Sequence, residues 1–133
     1  MSTKILIADD LRENRTLMKD VLTYYGYEVI ETQDGAEAVR LTKEHMPALV
    51  FMDVQMPVMD GIAAMKMLKA DPETKNIKII SLSGFAMDTE KAQFLSAGFD
   101  DYISKPIDIR KLPALIQKHL GGVEGQPPSL LKA

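Results

Sequence analysis

The chain has 133 residues, 46% of them apolar, and a formal charge of −3: enough for one domain with a full core, and without the basic stripe that marks a nucleic-acid-binding surface. It contains no cysteine, which excludes disulfides and thiolate metal sites. No apolar run approaches the ~18 residues of a membrane span, and Ile5 to Ala8 is too short for a signal-peptide core, so a soluble cytoplasmic domain is expected.

In chain order, Lys4 to Ala8 reads as a central buried strand that stops at Asp9-Asp10. Leu17, Met18, Val21 and Leu22 recur at helical spacing between Asn14 and Tyr25, with Gly26 at the expected stop. Glu28 to Thr32 is a more polar strand, hence expected at an edge. Asp34-Gly35 turns into a helix from Ala36 to His45, ended before Pro47. An uninterrupted apolar run, Ala48 to Met52, then ends abruptly in Asp53. Such a run suggests a strand buried on both faces, with Asp53 at its carboxyl end. Pro57 neither donates to a ladder nor continues a helix, so the next residues are loop.

Gly61 to Ala70 is helical, with Ile62, Met65 and Leu68 on one side, and Asp71-Pro72 closes it. Ile77 to Leu82 is a fourth strand, ending in Ser83-Gly84. Asp88 caps a helix that runs to Ala97 and stops at Gly98. Asp101 to Ser104 is a short fifth strand ending at Lys105-Pro106. Asp108 to Leu120 forms the last helix, with Pro113 in its first turn. Gly121-Gly122 and Gly125-Gln126-Pro127-Pro128 have linker composition, so residues 1–120 read as the domain and 121–133 as a flexible tail.

Strict alternation of strand and helix implies a parallel sheet with helices on both faces. Right-handed crossovers leave few topologies. The expected one is a doubly wound, flavodoxin-like α/β fold with five strands in the order 2-1-3-4-5. In that order the first and third strands are neighbours, so Asp9, Asp10 and Asp53 converge at their carboxyl ends, beside Ser83 and Lys105. Two unit charges ~4 Å apart repel by roughly 4 kcal/mol at an effective dielectric of about 20. Three carboxylates there require a raised pKa or a cation. Lys105 supplies one positive charge, and an all-oxygen site with few protein ligands suits Mg²⁺. His45 and His119 fall on helices and are expected on the surface, outside this cluster.

The constellation resembles the receiver domain of two-component response regulators, from Lys4 to about Leu120. The motifs are the acidic pair Asp9-Asp10, the segment Met52-Asp53-x-x-Met56-Pro57-x-x-Asp60-Gly61, Ser83, and Tyr102-Ile103-Ser104-Lys105-Pro106. The resemblance implies that Asp53 takes a phosphoryl group from a phosphohistidine on a histidine kinase or phosphotransfer protein. It implies Mg²⁺ held by Asp10, Asp53 and the Gln55 backbone carbonyl, with Asp9 helping, Lys105 paired with phosphate, and a cis Lys105-Pro106 bond. Slow loss of the phosphoryl group is tuned, on this reading, by the residues two after Asp53 and two after Ser83, Gln55 and Phe85. Ser83 and Tyr102 become switch residues, and the face formed by 88–97, 101–104 and 108–120 meets a downstream protein or a second copy. No nucleic-acid or membrane partner is expected.

Two rivals share features. A flavodoxin-type binder needs a hydroxyl- or glycine-rich phosphate loop after the first strand, where Asp9-Asp10 repels a phosphate. A haloacid-dehalogenase-type phosphatase needs a second Asp two residues after its nucleophile, where this chain has Gln55. The expected protein is a stand-alone response regulator, the alternative being the amino-terminal receiver of a longer regulator or hybrid kinase. The nine methionines read as core and loop filler, and Lys66, Lys69, Lys75 and Lys78 as a solvated face.

Overall fold

Ile5, Leu6, Ile7 and Ala8 are all fully buried, as are Leu49 to Met52, because each of these strands is covered on both faces. The structure, a computed structural model, describes residues 3–84 and 88–120, with side chains left undescribed at 88–91. Its strands are β1 (Lys4–Ala8), β2 (Glu28–Thr32), β3 (Leu49–Asp53), β4 (Lys78–Ser83) and β5 (Asp101–Ser104). They form one parallel sheet in the order β2-β1-β3-β4-β5, as expected, with the polar β2 at one edge. The helices are α1 (Arg12–Tyr24), α2 (Gly35–His45), α3 (Gly61–Ala70), α4 (Asp88–Ala97) and α5 (Leu112–Leu120).

Side chains alternate across the strands, so each sheet face has its own core. Leu6, Ala8, Val50, Met52 and Ile79 pack against Ala38 and Val39 of α2, Met65 and Leu68 of α3, and Phe94 of α4. Ile5, Ile7, Phe51, Ile80 and Leu82 pack on Met18 and Leu22 of α1 and on Leu112 and Ile116 of α5. Met18, Met52 and Met65 are core filler as read from the sequence, whereas Met46 and Met67 are close to half exposed. Two helices start on aspartate caps: Asp34 accepts from the Glu37 N–H at 2.7 Å and Asp60 from the Ala63 N–H at 2.8 Å.

Several expectations are corrected. Helix α1 begins at Arg12 rather than Asn14, with Leu11 in extended conformation before it. The fourth strand is shifted one residue on, to Lys78–Ser83, because the Ile77 N–H closes a turn onto the Thr74 carbonyl. The last helix is divided. Asp108 caps a short 3-10 turn, Ile109–Lys111, and α5 starts at Leu112, which leaves Pro113 in its first turn.

Lys69 is not part of a solvated face. Its Nζ donates to the Ile77 carbonyl at 2.9 Å and pairs with Asp100 Oδ2 at 2.7 Å, and Asp100 also accepts from the Ile79 N–H. His119 is not a surface residue either, since its side chain is 10% exposed and Nε2 lies 2.8 Å from Asp101 Oδ2. The reading of 121–133 as a flexible tail lies outside the described residues, as does Phe85. Among the described residues no helix is long and apolar enough to cross a membrane.

Candidate functional site

The parallel register builds the site. Ala8 pairs with Met52, so the residues that follow, Asp9 and Asp53, leave neighbouring strands at the same height. Asp53 pairs with Leu82 and Ser83 with Ser104, which brings Ser83 and then Lys105 to the same edge. The Val54 N–H bonds the Leu82 carbonyl and the Lys105 N–H bonds the Ser83 carbonyl at 2.7 Å, fixing the loops where they depart.

Asp9 is fully buried and Asp53 is 4% exposed. Lys105 Nζ stands between them, 2.9 Å from Asp53 Oδ2 and 3.1 Å from Asp9 Oδ2. The second oxygen of Asp53 accepts from the Gln55 N–H at 3.2 Å. Asp9 also accepts from the Leu11 N–H at 2.9 Å and from the Asn14 amide at 3.2 Å. Asp10 is exposed, and one carboxylate oxygen from each of Asp9, Asp10 and Asp53 lies within 4.8 Å of the others. A cleft of about 300 Å³ opens here, lined by Asp10, Asp53, Gln55, Ser83 and Lys105.

Burial pushes the Asp53 carboxyl up to about 6, and the charge of Asp9 adds to it, while the hydrogen bond and charge of Lys105 and the Gln55 N–H pull the other way. Burial acts to lower the Lys105 ammonium, but its hydrogen bond to Asp53 and the charges of Asp53 and Asp9 outweigh that and raise it. One ammonium therefore faces three carboxylates. The excess negative charge and the all-oxygen donor set fit a hard divalent cation.

Loop geometry aims these groups. The Met59 N–H donates to the Pro57 carbonyl at 2.7 Å around Val58, whose φ is 68°, a γ-turn conformation that L-residues rarely adopt. Gly61 follows where α3 passes the end of β3. A Cβ there would overlap the Asp53 backbone carbonyl, so only glycine allows the approach. The Lys105-Pro106 bond is cis.

The structure thus brings together Asp9, Asp10, Asp53, Gln55, Ser83 and Lys105. Tyr102 stands apart, half-buried on β5 and lining a separate cavity of about 540 Å³ with Ile103, Pro106, Lys111, Leu115 and Lys118. Sequence reasoning missed Asn14 and Arg15. Arg15 Nη1 donates to the Asp9 carbonyl at 2.8 Å, and both residues lie in the early part of α1, five and six positions after Asp9. A polar amide and a guanidinium opening a helix directly after an acidic pair were the available signal.

A doubly wound parallel sheet with an acidic cluster, a hydroxyl and a lysine at its carboxyl edge defines the receiver class of signalling domain. The chain belongs to the response regulator receiver domain family: residues 5–117 match that family's model. It is 36% identical over 121 residues to the polar-differentiation response regulator DivK of Brucella ovis, a match covering 91% of this chain and 98% of that protein. Its structure is similar to a putative response regulator from Chloroflexus aurantiacus, with TM-score 0.86 and 28% identity over 92% of this chain and 100% of that one. It is also similar to the receiver domain of sensor histidine kinase PA1611 from Pseudomonas aeruginosa, with TM-score 0.84 and 30% identity over the same shares. That structure is described with a magnesium ion coordinated in its active-site cleft.

Proposed function

We propose that Asp53 is the phosphoacceptor and that phosphorylation there switches the face formed by α4, β5 and α5. The observation that carries this is the near-buried Asp53 carboxylate with Lys105 Nζ at 2.9 Å, opening on a cleft shared with Asp10 and Ser83, with a carboxylate oxygen of Asp9 within 4.8 Å. One carboxylate oxygen attacks the phosphorus of a phosphohistidine. The new O–P bond forms as the P–N bond breaks, and the electron pair stays on the imidazole of the kinase or phosphotransfer protein. Asp10, Asp53 and the Gln55 backbone carbonyl would hold Mg²⁺, with Asp9 assisting. Bound there, the ion offsets the negative charge of the incoming phosphoryl oxygens.

The other roles belong to this chain. Lys105 gives its ammonium to a phosphoryl oxygen once that oxygen replaces the carboxylates as its partner. Ser83, 5% exposed at the end of β4, offers its hydroxyl to a second oxygen. Dephosphorylation breaks the O–P bond again when a water attacks phosphorus, releasing inorganic phosphate. Gln55, exposed at the cleft, can orient that water. A shielding role proposed for Phe85 from its place two residues after Ser83 predicts that Phe85→Glu or Phe85→Ala hastens loss of the phosphoryl group. The domain promotes its own phosphorylation and slow dephosphorylation in the cytoplasm, where it passes the signal to a downstream protein or a second copy.

Labelling tests the reading. Acetyl phosphate with Mg²⁺ should label the wild type and leave Asp53→Asn unlabelled, because an amide forms no acyl phosphate; equal labelling of the two proteins would reject Asp53. In a Mg²⁺ titration Asp10→Asn should weaken binding far more than Asp34→Asn, since Asp34 caps α2.

A further inference from the structure

We infer that Arg15 is a positioning residue for the acidic pair: held by Glu31 on the edge strand, its guanidinium fixes the Asp9–Asp10 peptide and so aims the Asp10 carboxylate into the cleft. This rests on the reading of Asp9, Asp10 and Asp53 as the cation site.

Strand β1 ends at Ala8, its last residue paired with both neighbouring strands. The Asp9 N–H still finds a partner, the Thr32 carbonyl at 3.1 Å. The Asp9 carbonyl lies beyond the ladder on a fully buried residue, where an unmet acceptor is costly. Arg15 meets it from α1, with Nη1 at 2.8 Å. Its side chain is only 15% exposed, and its Nε lies 3.5 Å from Glu31 Oε1, so the planar guanidinium spans from β2 to the acidic loop.

The two aspartates depend on this unequally. Asp9 is fastened through its own carboxylate, by the Leu11 N–H, the Asn14 amide and Lys105. Among the described residues the Asp10 carboxylate makes no hydrogen bond or ion pair, and it is exposed. Its only fixed anchor is therefore its backbone, which sets where the side chain departs. The peptide that sets it is the one whose carbonyl Arg15 holds. Arg15 bonds the Asp9 carbonyl and pairs with Glu31, and among the described residues it pairs with neither aspartate carboxylate, so its contribution is geometry rather than neutralisation. Lys19 supplies the internal control. It pairs with the other oxygen of Glu31 at 3.3 Å, is half exposed, and has no bond to the acidic loop among the described residues.

Mg²⁺ itself is the probe, titrated by NMR into the ¹⁵N-labelled 133-residue chain without any phosphodonor. Supporting groups behind a metal ligand carry on the order of tenfold in affinity, and Arg15→Met should weaken Mg²⁺ by about that factor. Arg15→Lys should recover little, because a single ammonium replaces a two-directional fork. Lys19→Met should stay within about twofold of wild type, as expected for a site with no shared partner in the loop. In metal-free protein the Leu11 amide should lose exchange protection in Arg15→Met and keep it in Lys19→Met.

A folded Arg15→Met that binds Mg²⁺ like wild type overturns the inference, and so does a Lys19→Met equally weakened. If Arg15→Met does not fold, Glu31→Gln decides: it leaves Arg15 in place but loosens its grip, and unchanged Mg²⁺ affinity there overturns the inference. A wild type that takes up no Mg²⁺ is a different result, which sinks the reading of the site itself.

Discussion

At the scale of single residues the site is a balance of charge against burial, and Asp53 shows which term wins. Desolvation comes first among the causes that lift its carboxyl to about 6 from an ordinary value of 3.8, ahead of the attraction of Lys105. A carboxyl raised on folding binds its proton more tightly in the native state. Its favourable contribution is complete below about 4 and is lost as pH rises through about 6. Metal-free Asp53→Asn should therefore gain stability over the wild type as pH climbs from 4 to 7. We expect roughly 1 kcal/mol at neutral pH, after allowing for solvent screening at the mouth of the cleft. Thermal melts in EDTA across that range check this, and a difference that shrinks with rising pH would contradict it.

Asp101, at the start of β5, has the opposite sign. Burial acts to raise its carboxyl, but hydrogen bonds with His119, the Tyr102 N–H and Lys118 together hold it below the usual carboxylate range. Its stabilisation is present above that range and is lost on acidification through the lowered value. Asp101→Asn should cost stability at neutral pH and flatten the acid limb of the stability curve, measured by urea unfolding at a series of pH values. The same pair explains why His119 looked like a surface residue in the sequence. Its partner stands 18 positions earlier on a different element, and nothing local announces the contact.

At the scale of elements, β1 and β3 were the most legible because each is a short, uninterrupted apolar run closed by a carboxylate. What was not legible lies where two elements approach. Gly61 reads as a helix start, yet its absent side chain is what lets α3 pass the Asp53 carbonyl. Gly61→Ala should cost on the order of 1–3 kcal/mol, as overpacking does, and should slow labelling of Asp53 by displacing the end of β3. Val58 is the reverse case. It is 83% exposed, so it buries almost nothing, while a β-branched residue at φ 68° carries strain. Val58→Asn, better suited to that conformation, should raise the urea midpoint by about 1 kcal/mol equivalent without changing the slope. A lower midpoint would mean that Val58 packs in a way its exposure does not reveal. Lys69 and Arg15 escaped the sequence reading for a common reason: each bonds backbone carbonyls, which carry no sequence signature.

At the scale of the whole molecule, the question is how charge added at one edge of the sheet reaches a face of it. On the proposed function Lys105 would be the mechanical link, since it holds carboxylates at the ends of β1 and β3 while belonging to the loop that leaves β5. A phosphoryl group on Asp53 would offer it a stronger partner and offer Ser83 a new acceptor, and both pulls would act on β4 and β5. Tyr102, on β5 three residues before Lys105, is half-buried beside the cavity between β5 and α5, so a shift there would reposition its ring. Moving a two-state equilibrium from 1:99 to 99:1 takes about 5.5 kcal/mol of differential interaction. That is the scale of a few charge-assisted hydrogen bonds made in only one state, at roughly 1.5–3 kcal/mol each. Beryllofluoride with Mg²⁺, mimicking the acyl phosphate, should therefore shift backbone NMR signals from Ser83 along α4 and β5 to Lys105, beyond those of the Asp53 loop. Tyr102→Ala should blunt the shifts in α4 and α5 while leaving labelling of Asp53 largely intact. Shifts confined to the neighbourhood of Asp9, Asp10 and Asp53 would show that the chemistry stands without the switch.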